Sequence, residues 1–178
     1  LTVSRLEEGG LATQREAFVF QDVLNEVLES FQPMMQATNI ALVREEGAIS
    51  HKAFGDPSQV RHVLSNLIDN AIKYTGKTKR AVLPKKGKKR TITIRFKEKG
   101  RHIWFEIEDT GVGIPKEDQK YIFQKFFRSS NAVRHETQGS GLGLYIARAI
   151  IKRSRGEMGF RSTESKGSTF WFTIPYAS

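Results

Sequence analysis

The chain has 178 residues, of which 38% are hydrophobic, and a formal net charge of +10. This length suits one well-packed domain, and no apolar run is long enough to span a membrane. The absence of cysteine excludes disulfides and zinc–thiolate sites. It also suits a reducing compartment, so we expect a cytoplasmic location.

Most of the positive charge lies in one short segment. Between Lys77 and Arg90 there are eight basic residues and no acidic one, so the segment accounts for eight of the ten net charges. It is either a solvated loop or a loop that attracts ATP, an acidic partner or nucleic acid. We do not expect nucleic-acid binding, because no aromatic residues interrupt the segment to stack on bases.

The first ten residues are typical of a helix end, with Leu1 and Leu6 apolar and Gly9-Gly10 as a stop. They lack the basic start and apolar run of a signal peptide. We interpret residues 1–12 as the end of another helical unit with its linker, and residues 13–178 as one domain.

Apolar periodicity predicts strands and helices that alternate along this domain. The predicted strands are 17–20, 40–45, 50–55, 91–96, 102–109, 157–163 and 168–175. The predicted helices are 23–38, a helix that starts at Pro57, 115–127 and 142–155, with Pro33 as a kink or a break in the first of them. This order favours an α+β two-layer sandwich, with helices on one face of a mostly antiparallel or mixed sheet.

The helix from Pro57 carries an unusual polar stripe. Asn66, Asn70 and Lys73 are spaced i, i+4 and i+7, so they share a narrow face beside the apolar stripe. Asparagine is a weak helix former, and its amide oxygen suits a magnesium ion that already has phosphate and water ligands. The stripe is therefore either a site for magnesium and phosphate or a solvated face with incidental asparagines.

Two glycine-containing motifs follow. In EDTGVGIP (108–115), an acid at a strand end precedes a G-x-G turn that leaves room for a flat ligand. In GSGLGL (139–144), glycines precede a helix, whose N-terminal N–H groups favour phosphate. Alone, the first can be an ordinary turn and the second an ordinary glycine-rich helix start. The second lacks the pattern of a Rossmann unit.

Taken in order, these motifs closely resemble the catalytic ATP-binding domain of sensor histidine kinases, within the GHKL ATPase/kinase superfamily. The resemblance covers about residues 15–176. It consists of Asn-x-x-x-Asn-Ala-x-Lys-Tyr, then Asp-x-Gly-x-Gly, a phenylalanine-rich segment, Gly-x-Gly-Leu-Gly-Leu and the closing GSTFWFTIP.

The resemblance implies four residues with catalytic roles. Asn70 would coordinate the magnesium ion that bridges the ATP phosphates, and Asn66 would support that site. Lys73 would neutralise phosphate, and Arg128 would reach the terminal phosphate.

The resemblance also implies how the nucleotide is held. Tyr74 would stack on adenine, and Asp109 would accept a hydrogen bond from the adenine amine, with a water near Thr169. The full implied nucleotide-binding set is Asn66, Asn70, Lys73, Tyr74, Asp109, Gly111, Gly113, Ile114, Gly139, Ser140, Gly141, Leu142, Gly143 and Thr169. Residues 128–139 would form a mobile lid over ATP, anchored by Phe123, Phe126 and Phe127, although Phe123 and Phe127 are equally compatible with ordinary core packing.

The residue type at position 66 differs between branches of the superfamily. The gyrase-like, mismatch-repair and chaperone ATPases have a glutamate four residues before the magnesium asparagine, as general base. An amide cannot take up a proton at neutral pH, so slow hydrolysis and transfer to an imidazole are expected instead.

The phosphoacceptor is missing from this sequence. None of the histidines at 51, 62, 102 and 135 lies in the family's His-Glu or His-Asp helical motif. The resemblance therefore implies partners: a helical hairpin of the same parent protein, a response-regulator receiver domain and a homodimeric parent. Two alternatives are a regulatory module that binds ATP without catalysis and a DNA-handling ATPase.

Overall fold

The computed structural model describes residues 14–76, 90–130 and 139–177. Within these ranges the elements are β1 (Glu16–Phe18), α1 (Phe20–Ala37), β2 (Ala41–Glu46), β3 (Ala53–Gly55), α2 (Pro57–Gly76), β4 (Thr91–Lys99), β5 (His102–Asp109), α3 (Gly143–Arg153), β6 (Met158–Thr163) and β7 (Gly167–Pro175). None of these helices is long and apolar enough to cross a membrane. The predicted helix end and linker at residues 1–12 lie outside the described ranges.

The main sheet has five strands in the order β2-β4-β5-β7-β6. The pair β2–β4 is parallel and the other pairs are antiparallel. Buried side chains alternate along β4, β5 and β7 and join those of α1, α2 and α3 in one core. This arrangement confirms the predicted α+β sandwich with a mixed sheet.

Aromatic packing joins α1 to the sheet. Phe20, at the start of α1, is almost fully buried. Its ring meets Phe96, Phe105 and Phe172 edge-on, with centroid separations of 6.0, 6.0 and 6.3 Å. Edge-to-face rings stabilise a core beyond the area they bury. One side chain therefore contacts three neighbouring strands and fixes the helix layer over the sheet.

The predicted strands at 40–45 and 50–55 form, but they do not pair with each other. β2 runs parallel to β4 at the edge of the main sheet, with Ala41 opposite Thr91. β3 pairs with β1 in a separate two-stranded sheet. Each of these strands therefore pairs with a strand that is distant in sequence.

The predicted helix at 115–127 is wrong. Only Gln119–Tyr121 forms a turn of 3₁₀-helix. The hydrogen bonds around it, such as Tyr121 N–H to Asp118 O at 2.9 Å and Gln124 N–H to Tyr121 O at 2.8 Å, span three residues. This is the spacing of tight turns rather than of an α-helix. Phe126 ends the segment with a left-handed φ of 61°.

On the face of the sheet away from the described helices, two tryptophans stack across β5 and β7. The ring centroids of Trp104 and Trp171 are 4.5 Å apart, with planes 14° from parallel. The Lys99 ammonium lies 4.4 Å from the centroid of Trp104. Gly159 on β6 makes room for the pair, because a Cβ there would lie 2.4 Å from the Trp171 ring.

Pro33 does not break α1, which continues from Phe20 to Ala37. Proline inside a helix removes one hydrogen-bond donor and is about 3 kcal/mol less favourable than alanine. Alanine, however, leaves the unfolded chain more conformational freedom than proline does, and this offsets part of the gain in stability. We expect Pro33→Ala to raise the free energy of unfolding by about 1–3 kcal/mol, measured by urea denaturation. An unchanged or lower value would contradict this account of Pro33.

Candidate functional site

The three predicted motifs line one cavity. Its walls come from α2, the segment after β5, residues 122–129, the start of α3 and the beginning of β7. The predicted residues that line it are Asn66, Asn70, Lys73, Tyr74, Asp109, Gly113, Ile114, Arg128, Gly139, Ser140, Gly141 and Gly143. Segments far apart in sequence thus meet around a space open to a ligand.

Helix α2 carries the asparagine stripe. Asp56 caps the helix, since its Oδ1 accepts hydrogen bonds from the N–H groups of Ser58 at 2.9 Å and Gln59 at 3.2 Å. The predicted apolar stripe is buried at Val60, Val63, Leu64, Leu67, Ile68, Ala71 and Ile72. Burial of that stripe fixes the rotation of α2, so Asn66 and Asn70 lie at its border, in the cavity wall.

Asn66 has a buried donor with no partner among the described residues. Its Nδ2 is inaccessible to solvent and makes no hydrogen bond there. On its other side, a Cβ at Gly143 would lie 2.9 Å from the Asn66 Oδ1. An unsatisfied buried N–H group destabilises the folded protein by about 1–3 kcal/mol. Asn66 therefore contributes to the cavity wall an amide whose donor is not satisfied by the described residues.

Lys73 lines the cavity but already has a carboxylate partner. Its Nζ lies 2.5 Å from Oδ2 of Asp69, one helical turn earlier. The two side chains are 37% and 30% exposed, so this pair contributes little to stability. The motifs did not point to Asp69, which also lines the cavity.

Asp109 is the buried acid of the cavity. It ends β5 and is only 7% exposed. Burial raises the pKa of the Asp109 carboxyl to about 7, while backbone hydrogen bonds from Gly111 and Ser168 favour the charged form and limit the rise. The Gly111 N–H lies 2.8 Å from Oδ1. The cavity thus contains an acceptor whose ionisation a ligand can change.

The glycine turn after Asp109 is held between α2 and the β6–β7 hairpin. Gly111 packs on the Tyr74 backbone, where a Cβ would lie 2.8 Å from the Tyr74 carbonyl oxygen. Gly113 has a φ of 66°, and a Cβ there would lie 2.1 Å from the Thr163 carbonyl oxygen. The Ile114 N–H donates to the Ser162 hydroxyl at 2.9 Å. Space therefore requires glycine at both positions, and the left-handed conformation also requires it at Gly113.

The glycine-rich segment before α3 forms the opposite wall. Gly141 has a φ of 68°, and a Cβ there would lie 2.6 Å from the Phe126 backbone. No side chain of the described residues caps the start of α3, so its first N–H groups can donate hydrogen bonds to an anion. Most of the predicted lid lies outside the described residues. Within them, Arg128 and Ser129 line the cavity.

Some residues implied by the resemblance lie outside the cavity wall. Thr169 does not line it, because strand alternation puts Ser168 and Phe170 on the cavity side of β7 and Thr169 on the opposite face. Leu142 packs against the core instead of facing the cavity. Gly111 is also absent from the wall and acts through its hydrogen bond to Asp109.

The predicted phenylalanine anchor of the lid is only partly seen. Phe127 lines the cavity and packs on the core, and Phe123 packs edge-on against Phe160 at 5.8 Å. Phe126, however, is 69% exposed, so it anchors nothing in the described structure. The cavity-lining residues that sequence reasoning missed are Asp69, Val112, Ile122, Leu144, Ser168 and Phe170.

A family model described as histidine kinase-, DNA gyrase B- and HSP90-like ATPase matches residues 55–178, well over half of the chain. The chain belongs to this family. Among its curated relatives, the sensor protein GacS of Pseudomonas syringae pv. syringae is 31% identical over 98% of this chain and 18% of its own length. The sensor histidine kinase RppB of Synechocystis sp. is 33% identical over the whole of this chain and 37% of its own length. The chain thus spans less than half of the length of each of these relatives.

Solved structures of this ATPase family show the same fold. The catalytic domain of histidine kinase ThkA has a TM-score of 0.73 and 26% identity, over 93% of this chain and 99% of that one. The Acinetobacter baumannii histidine kinase AdeS has a TM-score of 0.70 and 27% identity, over 98% and 74%. ShkA, solved in complex with AMPPNP, has a TM-score of 0.78 and 22% identity, over 98% of this chain and 34% of that one. This likeness supports the fold.

The family match and the named relatives confirm the interpretation drawn from the motifs. This is an ATP-binding catalytic domain of the sensor histidine kinase type.

Proposed function

We propose that this domain transfers the γ-phosphoryl group of Mg-ATP to a histidine on a helical hairpin of the same parent protein. One observation supports this activity above the others. At position 66 the cavity has an amide with an unpartnered buried donor rather than a carboxylate. That amide can hold an oxygen of the nucleotide, but it cannot deprotonate water.

The remaining cavity residues fit the two ends of ATP. Asn66, Asn70, Lys73 and Arg128 form the end that we assign to the phosphates, together with the uncapped start of α3. Asp109 forms the end that we assign to adenine, where its carboxylate would accept a hydrogen bond from the exocyclic amine. When the carboxyl is ionised, this arrangement prefers adenine, because a base with a carbonyl at that position would set two acceptors against each other.

The cavity side chains also fit a magnesium ion whose ligands come mainly from the nucleotide and water. The described residues contain no cluster of three or more His, Asp or Glu side chains that could hold a metal alone. Asn70 would supply a neutral amide oxygen, which suits Mg²⁺ when phosphates and water provide the other ligands. When bound, Mg²⁺ would neutralise charge on the transferring phosphate.

Histidine is a suitable acceptor for a cavity of this kind. A neutral imidazole nitrogen attacks phosphorus with its lone pair, so no base in the cavity has to remove a proton first. The new N–P bond forms as the bond from γ-phosphorus to the bridging oxygen breaks, and ADP leaves. The cavity residues position the phosphate and balance its charge, which is the main requirement of phosphoryl transfer.

The direct test begins with calorimetric titration of the domain with Mg-ADP and with a non-hydrolysable ATP analogue. The domain is then mixed with ATP and the helical-hairpin fragment of its parent, and acid-labile phosphate on the hairpin is measured. We expect binding followed by transfer. Binding without transfer to a folded hairpin would favour the regulatory module, and hydrolysis at an ordinary enzymatic rate without the hairpin would favour a DNA-handling ATPase.

The proposal extends to the parent protein. We propose that residues 1–12 join this domain to the hairpin, that the parent is a cytoplasmic or membrane-anchored homodimer with this domain in the cytoplasm, and that a response-regulator receiver domain accepts the phosphate from the hairpin. The small share of the curated relatives that the chain covers leaves room for such further domains.

ATP affinity should depend on pH through Asp109. In the free domain, burial raises the pKa of Asp109 to about 7. An adenine amine that donates to the carboxylate favours its charged form and lowers that pKa, so binding releases a proton below pH 7. We expect the affinity to fall as the pH drops below 7, by at most about tenfold per unit.

Calorimetry in two buffers with different ionisation enthalpies measures this proton release directly. Asp109→Asn cannot ionise, and we expect it to bind weakly with no proton release at any pH. Proton uptake by the wild-type protein on binding, or an affinity constant from pH 5.5 to 8, would contradict the adenine role of Asp109.

A further inference from the structure

We propose that Ser162, on β6, is a positioning residue of the nucleotide site: it orients the Ser168 hydroxyl so that this group presents only acceptors to the cavity. Ser162 is not among the described residues that line the cavity, whereas Ser168 is. Ser162 therefore acts through Ser168. The inference rests on the nucleotide-binding role proposed above and names a residue that helps to select the base.

The pairing of the last two strands brings the two serines together beside Asp109. Ser162 lies opposite Ser168 in the antiparallel β6–β7 pair, so both side chains are on the same face of the sheet. Ser168 is only 8% exposed and lies opposite Asp109 on the next strand. Its backbone N–H bonds to the Asp109 carboxyl. The Ser168 hydroxyl is thus held next to the acid that we assign to adenine.

The direction of the hydrogen bonds follows from counting protons at Ser162. Its Oγ lies 2.9 Å from the Ile114 nitrogen, 3.0 Å from Gly167 O and 2.9 Å from Ser168 Oγ. The backbone N–H can only donate and the carbonyl can only accept. A serine hydroxyl has one proton and two lone pairs. The Ser162 proton therefore goes to Gly167 O, and the Ser168 hydroxyl must donate to Ser162.

This direction determines which ligand groups Ser168 can accept. Its only proton points to Ser162, so its remaining lone pairs serve the cavity. An amine of the ligand would find an acceptor there, whereas a carbonyl would be left without a donor. Asp109 alone does not maintain this preference below its pKa of about 7, because a protonated carboxyl can donate to a carbonyl. The serine pair therefore keeps the preference for an amine when Asp109 is protonated.

The groups around Ser162 have restraints of their own. The Gln119 Nε2 donates to Ile114 O at 3.0 Å and to Ser162 O at 3.1 Å, which ties the turn after β5 to β6. Gly167 packs on the end of β5, where a Cβ would lie 1.9 Å from Asp109 O. Backbone positions thus fix both the donor and the acceptor that commit the Ser162 hydroxyl.

The test is calorimetric titration of the domain with Mg-ADP and with Mg-IDP at pH 6, below the pKa of Asp109. Inosine diphosphate has a carbonyl where adenine has its amine. We expect the wild-type protein to prefer Mg-ADP, and Ser162→Ala to reduce the ratio of the two affinities by about three- to tenfold, the size of one hydrogen bond. In the variant the Ser168 hydroxyl is free to turn and donate to the carbonyl. General loss of structure would weaken both ligands without this change in their ratio.

Three further variants separate positioning from other effects. Ser162→Thr keeps the hydroxyl and should keep the wild-type ratio. Ser168→Ala removes the acceptor, so adding Ser162→Ala to it should change the ratio no further. Ser30→Ala removes a hydroxyl that bonds to Val27 O on α1, away from the cavity, and should bind both nucleotides like the wild type.

A wild-type ratio in Ser162→Ala, or effects of Ser162→Ala and Ser168→Ala that simply add, would overturn the inference. Either result, obtained with a domain that binds Mg-ADP, leaves the proposed phosphoryl transfer intact. Failure of the wild-type domain to bind Mg-ADP would instead overturn the nucleotide site and this inference with it.

Discussion

Replacing Gly113 by alanine is expected to reduce nucleotide affinity by more than about 100-fold. The added Cβ would lie 2.1 Å from the Thr163 carbonyl oxygen and 2.9 Å from the Glu164 Cα. Both are backbone atoms of the β6–β7 hairpin, so no side chain can rotate away. The turn that holds Asp109 and Ile114 in the cavity would have to move, and displacement by about 1 Å at a binding site is enough to cost about 100-fold.

The matched control is Gly100→Ala. Gly100 has nearly the same left-handed φ, 61°, but a Cβ there meets nothing within 4 Å. Both variants carry the backbone strain of alanine in this conformation, about 1–2 kcal/mol. Only Gly113→Ala adds the collision. Calorimetric titration with Mg-ADP should therefore show wild-type affinity for Gly100→Ala, and similar affinities for the two variants would refute the steric argument.

Replacing Asn70 by aspartate is expected to lower the rate of phosphoryl transfer by about 100-fold or more, a magnitude seen when one aligned electrostatic contact is lost at an active site. The two side chains have nearly the same shape. The change replaces a neutral ligand with a negative charge beside the triphosphate and alters the charge balance around the metal. Transfer from labelled ATP to the hairpin fragment measures the effect.

Asn25→Asp provides the control for added charge. Asn25 lies on α1, where its amide oxygen accepts a hydrogen bond from Arg44 at 2.9 Å, and it does not line the cavity. The same change of one charge there should leave transfer unaffected. If Asn70→Asp shows wild-type nucleotide binding and the wild-type magnesium requirement, the metal role assigned to Asn70 is wrong.

Apolar periodicity was sufficient to predict α2, whereas the meeting of the three motifs was implied only by the family resemblance. The apolar residues from Val60 to Ile72 are spaced so that a single helix buries them on one face. The position of that face determines where Asn66 and Asn70 lie. The ordered motifs indicated the family, because their combination is far more specific than any one motif. The cavity joins them in space.

Features that depend on distant pairing could not be predicted. The parallel pairing of β2 with β4 and the separate β1–β3 sheet depend on partners that no local signal identifies. Ser168 was missed for the same reason. It reaches the cavity because β7 pairs with β5 in a register that sets it opposite Asp109, and a shift of one residue would have brought Thr169 there instead.

The failure at residues 115–127 has a different physical cause. The aromatic residues there resemble an amphipathic helix, but the chain forms successive tight turns that place Phe127 at the cavity and leave Phe126 exposed. Tertiary packing decides such a segment more strongly than helix propensity does.

The stacked tryptophans provide a built-in optical probe of this domain. The sequence contains only two tryptophans, and indole rings 4.5 Å apart and nearly parallel couple their electronic transitions. The coupled signal in far-ultraviolet circular dichroism depends on both rings keeping their places on β5 and β7. Because the pair lies on the sheet face opposite the ATP cavity, its loss reports separation of the central strands rather than occupancy of the nucleotide site. Separation of the central strands can therefore be followed by its own optical signal, in an unlabelled sample, with or without nucleotide.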